Sequence, residues 1–201
     1  MKEIENLNLD IDDKNIEGSF KRIAFDLMNR WILDVESKSY RIAEIEFYYK
    51  SETHNDPYAH AHALQKTKGR WYFHGSGFDI TCGQKGYYGG ILIRAICDIE
   101  DDKNYIYGPL SCITEIFSNV KGVYEAKISF GLKPVKEGEL IIEKPIAAPR
   151  IGLNPTKDTG KYEAFYRYLI MPKKKHAEKS RIAEAMVQQK YTDDEIKNIW
   201  G

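Results

Sequence analysis

Residues Tyr40 to Tyr49 read Tyr-Arg-Ile-Ala-Glu-Ile-Glu-Phe-Tyr-Tyr. Side chains alternate across an extended strand. Ile42, Glu44, Glu46 and Tyr48 therefore fall on one side, and Arg41, Ala43, Ile45, Phe47 and Tyr49 on the other. Two carboxylates and a phenol on one face are groups that accept protons, orient water or stabilise a developing cation. The same alternation also describes the solvated outer face of an antiparallel sheet. The strand alone leaves both readings open.

Further functional groups crowd the glycine-rich stretch from Tyr58 to Gly90: His60, His62, Arg70, His74, Asp79 and a Gly-Ser-Gly at 75–77. Those glycines either cradle a phosphate or ligand with backbone amides or bend the chain sharply beneath a pocket, with Asp79 holding His60 or Arg70. His54, His60, His62 and His74 are of a metal-binding type, but their intervals follow no ligand pattern, so no metal and no cofactor is assigned. Arg94 sits in the apolar run Gly89 to Ile99. An arginine buried there demands a carboxylate partner, and Glu44 is assigned a supporting role as the partner of Arg94 or Arg41.

Stepping outward, Ser19 is placed as the cap of a helix through Phe20, Ile23, Ala24, Leu27 and Met28, ending at Trp31. Trp31–Glu36 and Tyr40–Tyr49 read as a hairpin about the turn 36–39. Phe73–Cys82 reads as one or two short strands and Gly89–Ile99 as a buried one. Gly108-Pro109 opens a helix to Phe117. Strands follow near Ala126–Phe130, Glu139–Ile142, Pro149–Leu153 and Phe165–Ile170, with a polar loop at 154–162 and a basic hinge at 172–175. Lys179–Gln189 is an amphipathic helix, and Thr192-Asp-Asp-Glu195 is a capping box for a last helix ending at Trp200. The expectation is a single α+β domain with a strongly curved, mostly antiparallel, barrel-like sheet flanked by helices. Its parts are a frayed segment 1–13, the domain at 14–171 and a basic helical extension at 172–201.

A chain of 201 residues with 42% hydrophobic residues builds a core without disulfides. Thirty basic and thirty acidic residues balance, which counts against nucleic acid unless the charges segregate. They do segregate: the start is acidic and Lys173 to Lys190 is basic, either tracking a nucleic-acid backbone or forming a solvated helix face. Cys82, Cys97 and Cys112 are scattered like free thiols of a reducing compartment. With neither a signal-like start nor an apolar span, the reading is soluble and cytoplasmic, with no membrane partner.

Arg41-Ile-Ala-Glu-Ile-Glu-Phe-Tyr48 resembles the catalytic strand of the alkyladenine (3-methyladenine) DNA glycosylases. Asp56-Pro-Tyr-Ala-His60 follows after a slightly longer loop, and Ile91-Leu-Ile-Arg94-Ala and Gly108-Pro-Leu resemble the family's arginine strand and next helix start. Pro149-Arg-Ile-Gly-Leu153 and Phe165-Tyr166 resemble its closing strands, so that the resemblance runs over residues 20–171 in order. It implies that Glu46 is the base that directs water at the anomeric carbon, that Arg94 positions that water, and that Tyr48 and His60 sandwich a flipped base, with Phe78 as a further aromatic. Glu44, Asp79, Arg70 and His62 are possible supporting residues. The implied function is hydrolytic excision of alkylated purines from DNA. The pattern departs at 77–90, where Ile80 replaces a stacking tyrosine and the duplex-entering wedge and a pocket asparagine have no counterpart. That departure keeps two alternatives: a hydrolase of a small nucleoside-like ligand, and a non-catalytic ligand- or nucleic-acid-binding module.

Overall fold

The computed structural model describes residues 7–120, 128–136 and 138–200. Helix α1 (Ile16–Asn29) leads into the hairpin of β1 (Trp31–Val35) and β2 (Lys38–Lys50). Next come β3 (Trp71–His74), β4 (Gly77–Thr81), β5 (Tyr88–Asp98), β6 (Tyr105–Tyr107), α2 (Pro109–Asn119), β7 (Phe130–Pro134) and β8 (Ile146–Ala148). The chain closes with α3 (Thr159–Glu163), β9 (Arg167–Leu169), α4 (Lys179–Gln188) and α5 (Asp193–Trp200). Among the described residues these strands form one antiparallel sheet, curled into a half-barrel within a single α+β domain, as the sequence leads one to expect.

The sheet branches about its central pair. β2 runs against β5 from Tyr40↔Asp98 to Lys50↔Tyr88. On its other edge β2 pairs first with β1 and then with β9 across Glu44 to Glu46, and its ladder with β5 slips register between Ile42 and Ile45. β5 changes neighbours in the same way, from β4 at 90–92 to β6 at 95–97. Irregularities of this kind sharpen local twist and re-aim side chains. Glu44, Glu46 and Arg94 sit where both central strands exchange partners.

One face of β2 is closed by α1. Phe20 stacks on Phe47 at 4.2 Å between ring centroids and 12° between planes, and meets Tyr49 edge-on. Phe20, Ile23, Leu27, Ala43, Ile45 and Phe47 are fully buried, so this half of the alternation is core. Burial of this kind supplies most of the folding free energy, about 1.5–3 kcal/mol for each large apolar side chain.

Several local expectations change. The cap of α1 is Asn15, whose side chain accepts from the Gly18 amide; Ser19 lies inside the helix with its hydroxyl on the Asn15 carbonyl. Residues 7–13 are not frayed: Leu7 and Leu9 are buried and Arg22 donates to the carbonyls of Asn8 and Asp10. Glu139–Ile142 is not a strand, because the Ile141 carbonyl is taken by the Arg41 guanidinium and not by a ladder. Pro149–Leu153 is likewise a bend, while Ile146–Ala148 just before it pairs with β9. Of the strand expected near 126–130, residues 126 and 127 lie outside the described residues, and β7 begins at Phe130. Residues 172–200 pack as part of the body: Ile182, Ala185 and Met186 of α4 are buried with Ile146, Ala148 and Leu169. The capping box at Thr192 and Glu195 is present in both directions.

Candidate active site

Glu46 projects from the face of β2 opposite α1 and is completely buried. Its Oε2 accepts from the Tyr48 hydroxyl at 2.8 Å and from Arg94 Nη1 at 3.2 Å; its Oε1 accepts from the Ile151 amide at 2.8 Å. The Ile151 amide is available because 149–153 is a bend and not a paired strand. Tyr48, Arg94 and Ile151 all line one cavity of about 480 Å³, so Glu46 lies directly behind its wall. That volume falls within the range of small-molecule sites.

Glu44 fills a different role. Arg94 Nε reaches its Oε1 at 3.1 Å, Arg167 binds both oxygens at 2.9 and 3.1 Å, and His176 Nδ1 lies 2.6 Å from Oε2. Burial alone raises a carboxyl pKa, but His176 and Arg167 outweigh it and hold Glu44 below its ordinary value. Glu44 is thus the anchor of Arg94 from behind. Arg41, its other expected partner, pairs with Glu143 and the Asn29 side chain instead. For Arg94 burial works against the charge, but Glu46 and Glu44 prevail and raise its pKa, so it remains a fixed cation. Burial and the Glu46 charge raise the Tyr48 pKa, keeping it a neutral hydrogen-bond donor.

A second ion pair supports the wall. Arg150 and Asp56 are both fully buried and meet at 2.6 and 3.1 Å. The Arg150 guanidinium stacks over Tyr48 at 4.6 Å and over Tyr58 and Tyr166 at 5.3 Å each. Tyr58 in turn donates to the carbonyl of Asn154, tying the 154–158 loop to the rim. His54 lies deeper, against Phe20, Tyr49 and Tyr166, with Lys161 Nζ 2.9 Å from its Nδ1. Burial, then the Lys161 charge, lowers the His54 pKa to about 4.

Of the residues singled out from sequence, Glu46, Arg94 and Tyr48 are brought together, and His60 lines the same cavity. Asp79 lines it too, but it holds His74 at 3.1 Å and Gln65 at 3.3 Å, not His60 or Arg70. Phe78 is not a base-binding residue: it is fully buried in the core, stacked on Phe73. Adjacent strand residues point to opposite faces, so with Asp79 on the cavity Phe78 faces away. His62 caps the turn at 63–66 and stacks on Tyr72, outside the cavity lining, and Arg70 is an exposed residue also outside that lining. The four loop histidines do not all converge: His54 is in the core, while His60, His62 and His74 surround Tyr72, with the His60 and His74 rings edge-to-face at 4.7 Å. Gly75-Ser-Gly77 is a hairpin turn joining β3 to β4.

Arg150, Asp56, Arg167 and His176 were not identified as site residues from sequence. The signal for the first two was present in Asp56-Pro57 and Pro149-Arg150, each a charge beside a rigid proline. His176 stood in a run of lysines that reads as solvated. Burial raises the pKa of all three cysteines, Cys112 to about 12, and all three are buried and free. Among the described residues no helix is long and apolar enough to cross a membrane.

No family model matches the chain. It is 30% identical over 199 aligned residues to the protein named "Uncharacterized protein L759" of Acanthamoeba polyphaga mimivirus, an alignment covering 80% of this chain and 89% of that protein. The chain belongs to the same family as that mimivirus protein.

Proposed function

We propose that this member of the mimivirus protein's family hydrolyses an N-glycosidic bond in its cavity, with Glu46 directing the attacking water. The observation that carries the reading is the triple anchoring of Glu46, whose carboxylate is aimed at the cavity wall formed by Tyr48, Arg94 and Ile151. N-glycosidic cleavage passes through a cation-like sugar, which a fixed carboxylate stabilises while it orients water. Tyr48 and His60 supply ring faces for a base removed from its stack. The leading substrate is an alkylated purine in DNA, with Lys157 and Asn154 on the rim beside the backbone. The site of action is a reducing cytoplasm, which the buried free thiols support.

A second reading, a hydrolase of a small nucleoside-like ligand, is favoured by the 82–90 segment. It folds back as a tight turn with a Gln84–Tyr87 bridge; Tyr87 packs on Tyr49 and Tyr88 under Lys66, away from the cavity. The test is a substrate panel of alkylated duplex DNA, alkylated single strand and free alkylated nucleosides at low salt. Free base from DNA supports the first reading; free base only from nucleosides supports the second. No base from any of them overturns both and leaves a binding module.

A further inference from the structure

Three neighbouring strands set a row of side chains along the cavity floor. Glu46 of β2 is opposite Leu92 of β5, and Leu92 is opposite Asp79 of β4. Two strand spacings, roughly 10 Å, separate the two acidic residues at the backbone. Leu92 and Asp79 both line the cavity, as do the partners of Glu46. The floor is therefore apolar in the middle, with the Asp79 carboxylate at one end and, at the other, the Tyr48, Arg94 and Ile151 wall behind which Glu46 lies.

Asp79 is built into its place. Its residue exposure is 3%, and among the described residues its side-chain hydrogen-bond partners are His74 and Gln65. The Ser76 amide donates to His74 Nδ1, which leaves Nε2 as the donor to Asp79 Oδ1 and makes the ring the neutral tautomer. Gly90 is required beside them: a Cβ there would fall 2.5 Å from Asp79 Oδ2 and 2.7 Å from the Gln65 amide nitrogen. A carboxylate accepts about four hydrogen bonds, and here an imidazole and an amide use part of that capacity. Asp79 also lines the cavity, and a neutral imidazole and an amide leave its negative charge without a cationic partner between them.

We infer that Asp79, steadied by His74 and Gln65, reads the far edge of the bound base and selects rings that present N–H donors there, as amino-purines do. The inference rests on the nucleobase reading above and adds the base class to it. With the sugar at the Glu46 end, a bicyclic ring lies over Leu92 and brings its exocyclic amine to Asp79. A ring offering only a carbonyl oxygen at that edge meets the carboxylate with like partial charge and is rejected.

The experiment is equilibrium binding of adenine and of unsubstituted purine, which lacks the amine, to the wild-type protein and to Asp79→Asn. The wild type is expected to prefer adenine by on the order of tenfold or more, the range for a hydrogen bond to a charged group. The variant is expected to lose that preference. Isotope-edited NMR of the Asp79 carboxyl in the wild type keeps the test independent of variant folding: adenine shifts the signal and purine does not. Equal binding of the two ligands, an undiminished preference in the variant, or no base binding by folded protein overturns the inference. Base release with unaltered preference in Asp79→Asn overturns this subsite and leaves the hydrolytic reading standing. Adenine preference without any base release leaves the subsite standing and removes the hydrolase.

Discussion

Arg94 divides its guanidinium between two glutamates, with Nε 3.1 Å from Glu44 Oε1 and Nη1 3.2 Å from Glu46 Oε2. One contact is structural and the other faces the cavity wall. Glu44 is itself clamped by Arg167 and His176, so the arginine cannot swing without breaking a buried network.

Arg94→Met should therefore lower both stability and base release. Removing one member of a buried ionic network costs about 3–5 kcal/mol. Urea denaturation gives the stability change. An unchanged midpoint would show Arg94 to be dispensable to the fold.

Arg150→Met and Asp56→Leu should each destabilise by a similar amount, about 3–5 kcal/mol, since each strands a fully buried charge. The double variant should recover much of the loss, because no unpaired charge remains. A double-mutant cycle checks this. Additive losses would contradict the pairing.

Tyr48→Phe keeps the ring under Arg150 and removes only the hydroxyl on Glu46. Base release should fall by roughly ten- to a hundredfold, the value of a hydrogen bond to a charged group. Binding of the base, which uses the ring face, should change far less. Parallel kinetics and binding separate the two.

Acid should destabilise the protein in two stages. His54 titrates near 4 in the folded state, below its ordinary 6.5, so between these values the unfolded chain holds the extra proton. Stability is thus fully present above 6.5 and declines as pH falls toward 4. Glu44, held below its ordinary 4.5, adds a further loss as pH drops through its folded pKa. Denaturation midpoints from about pH 7.5 downward record this, and His54→Gln should flatten the upper stage.

How far the sequence revealed this arrangement depends on the range of each contact. The alternation of Tyr40 to Tyr49 separated the apolar face of β2 from the face carrying Glu44, Glu46 and Tyr48, since strand periodicity is local. A lone arginine in an apolar strand identified Arg94, since burial demands a partner. Ile151 and His176 were out of reach: their bonds to Glu46 and Glu44 span 105 and 132 residues and come from a backbone amide and a lysine-rich loop. Phe78 entered through the resemblance as a matching aromatic, and the broken glycine-rich pattern around it does not fix which face of the strand it takes. Ser19 was taken for a cap because its residue type is right, yet Asn15, of the same capping type, lies one turn earlier.

The most direct measurement is base release from alkylated DNA and nucleosides by the wild type and by Glu46→Gln, with folding of both verified. The account predicts free base from the wild type and a loss of at least a hundredfold in the variant, consistent with general-base contributions of about 10²–10⁴. Release by Glu46→Gln at the wild-type rate would contradict it.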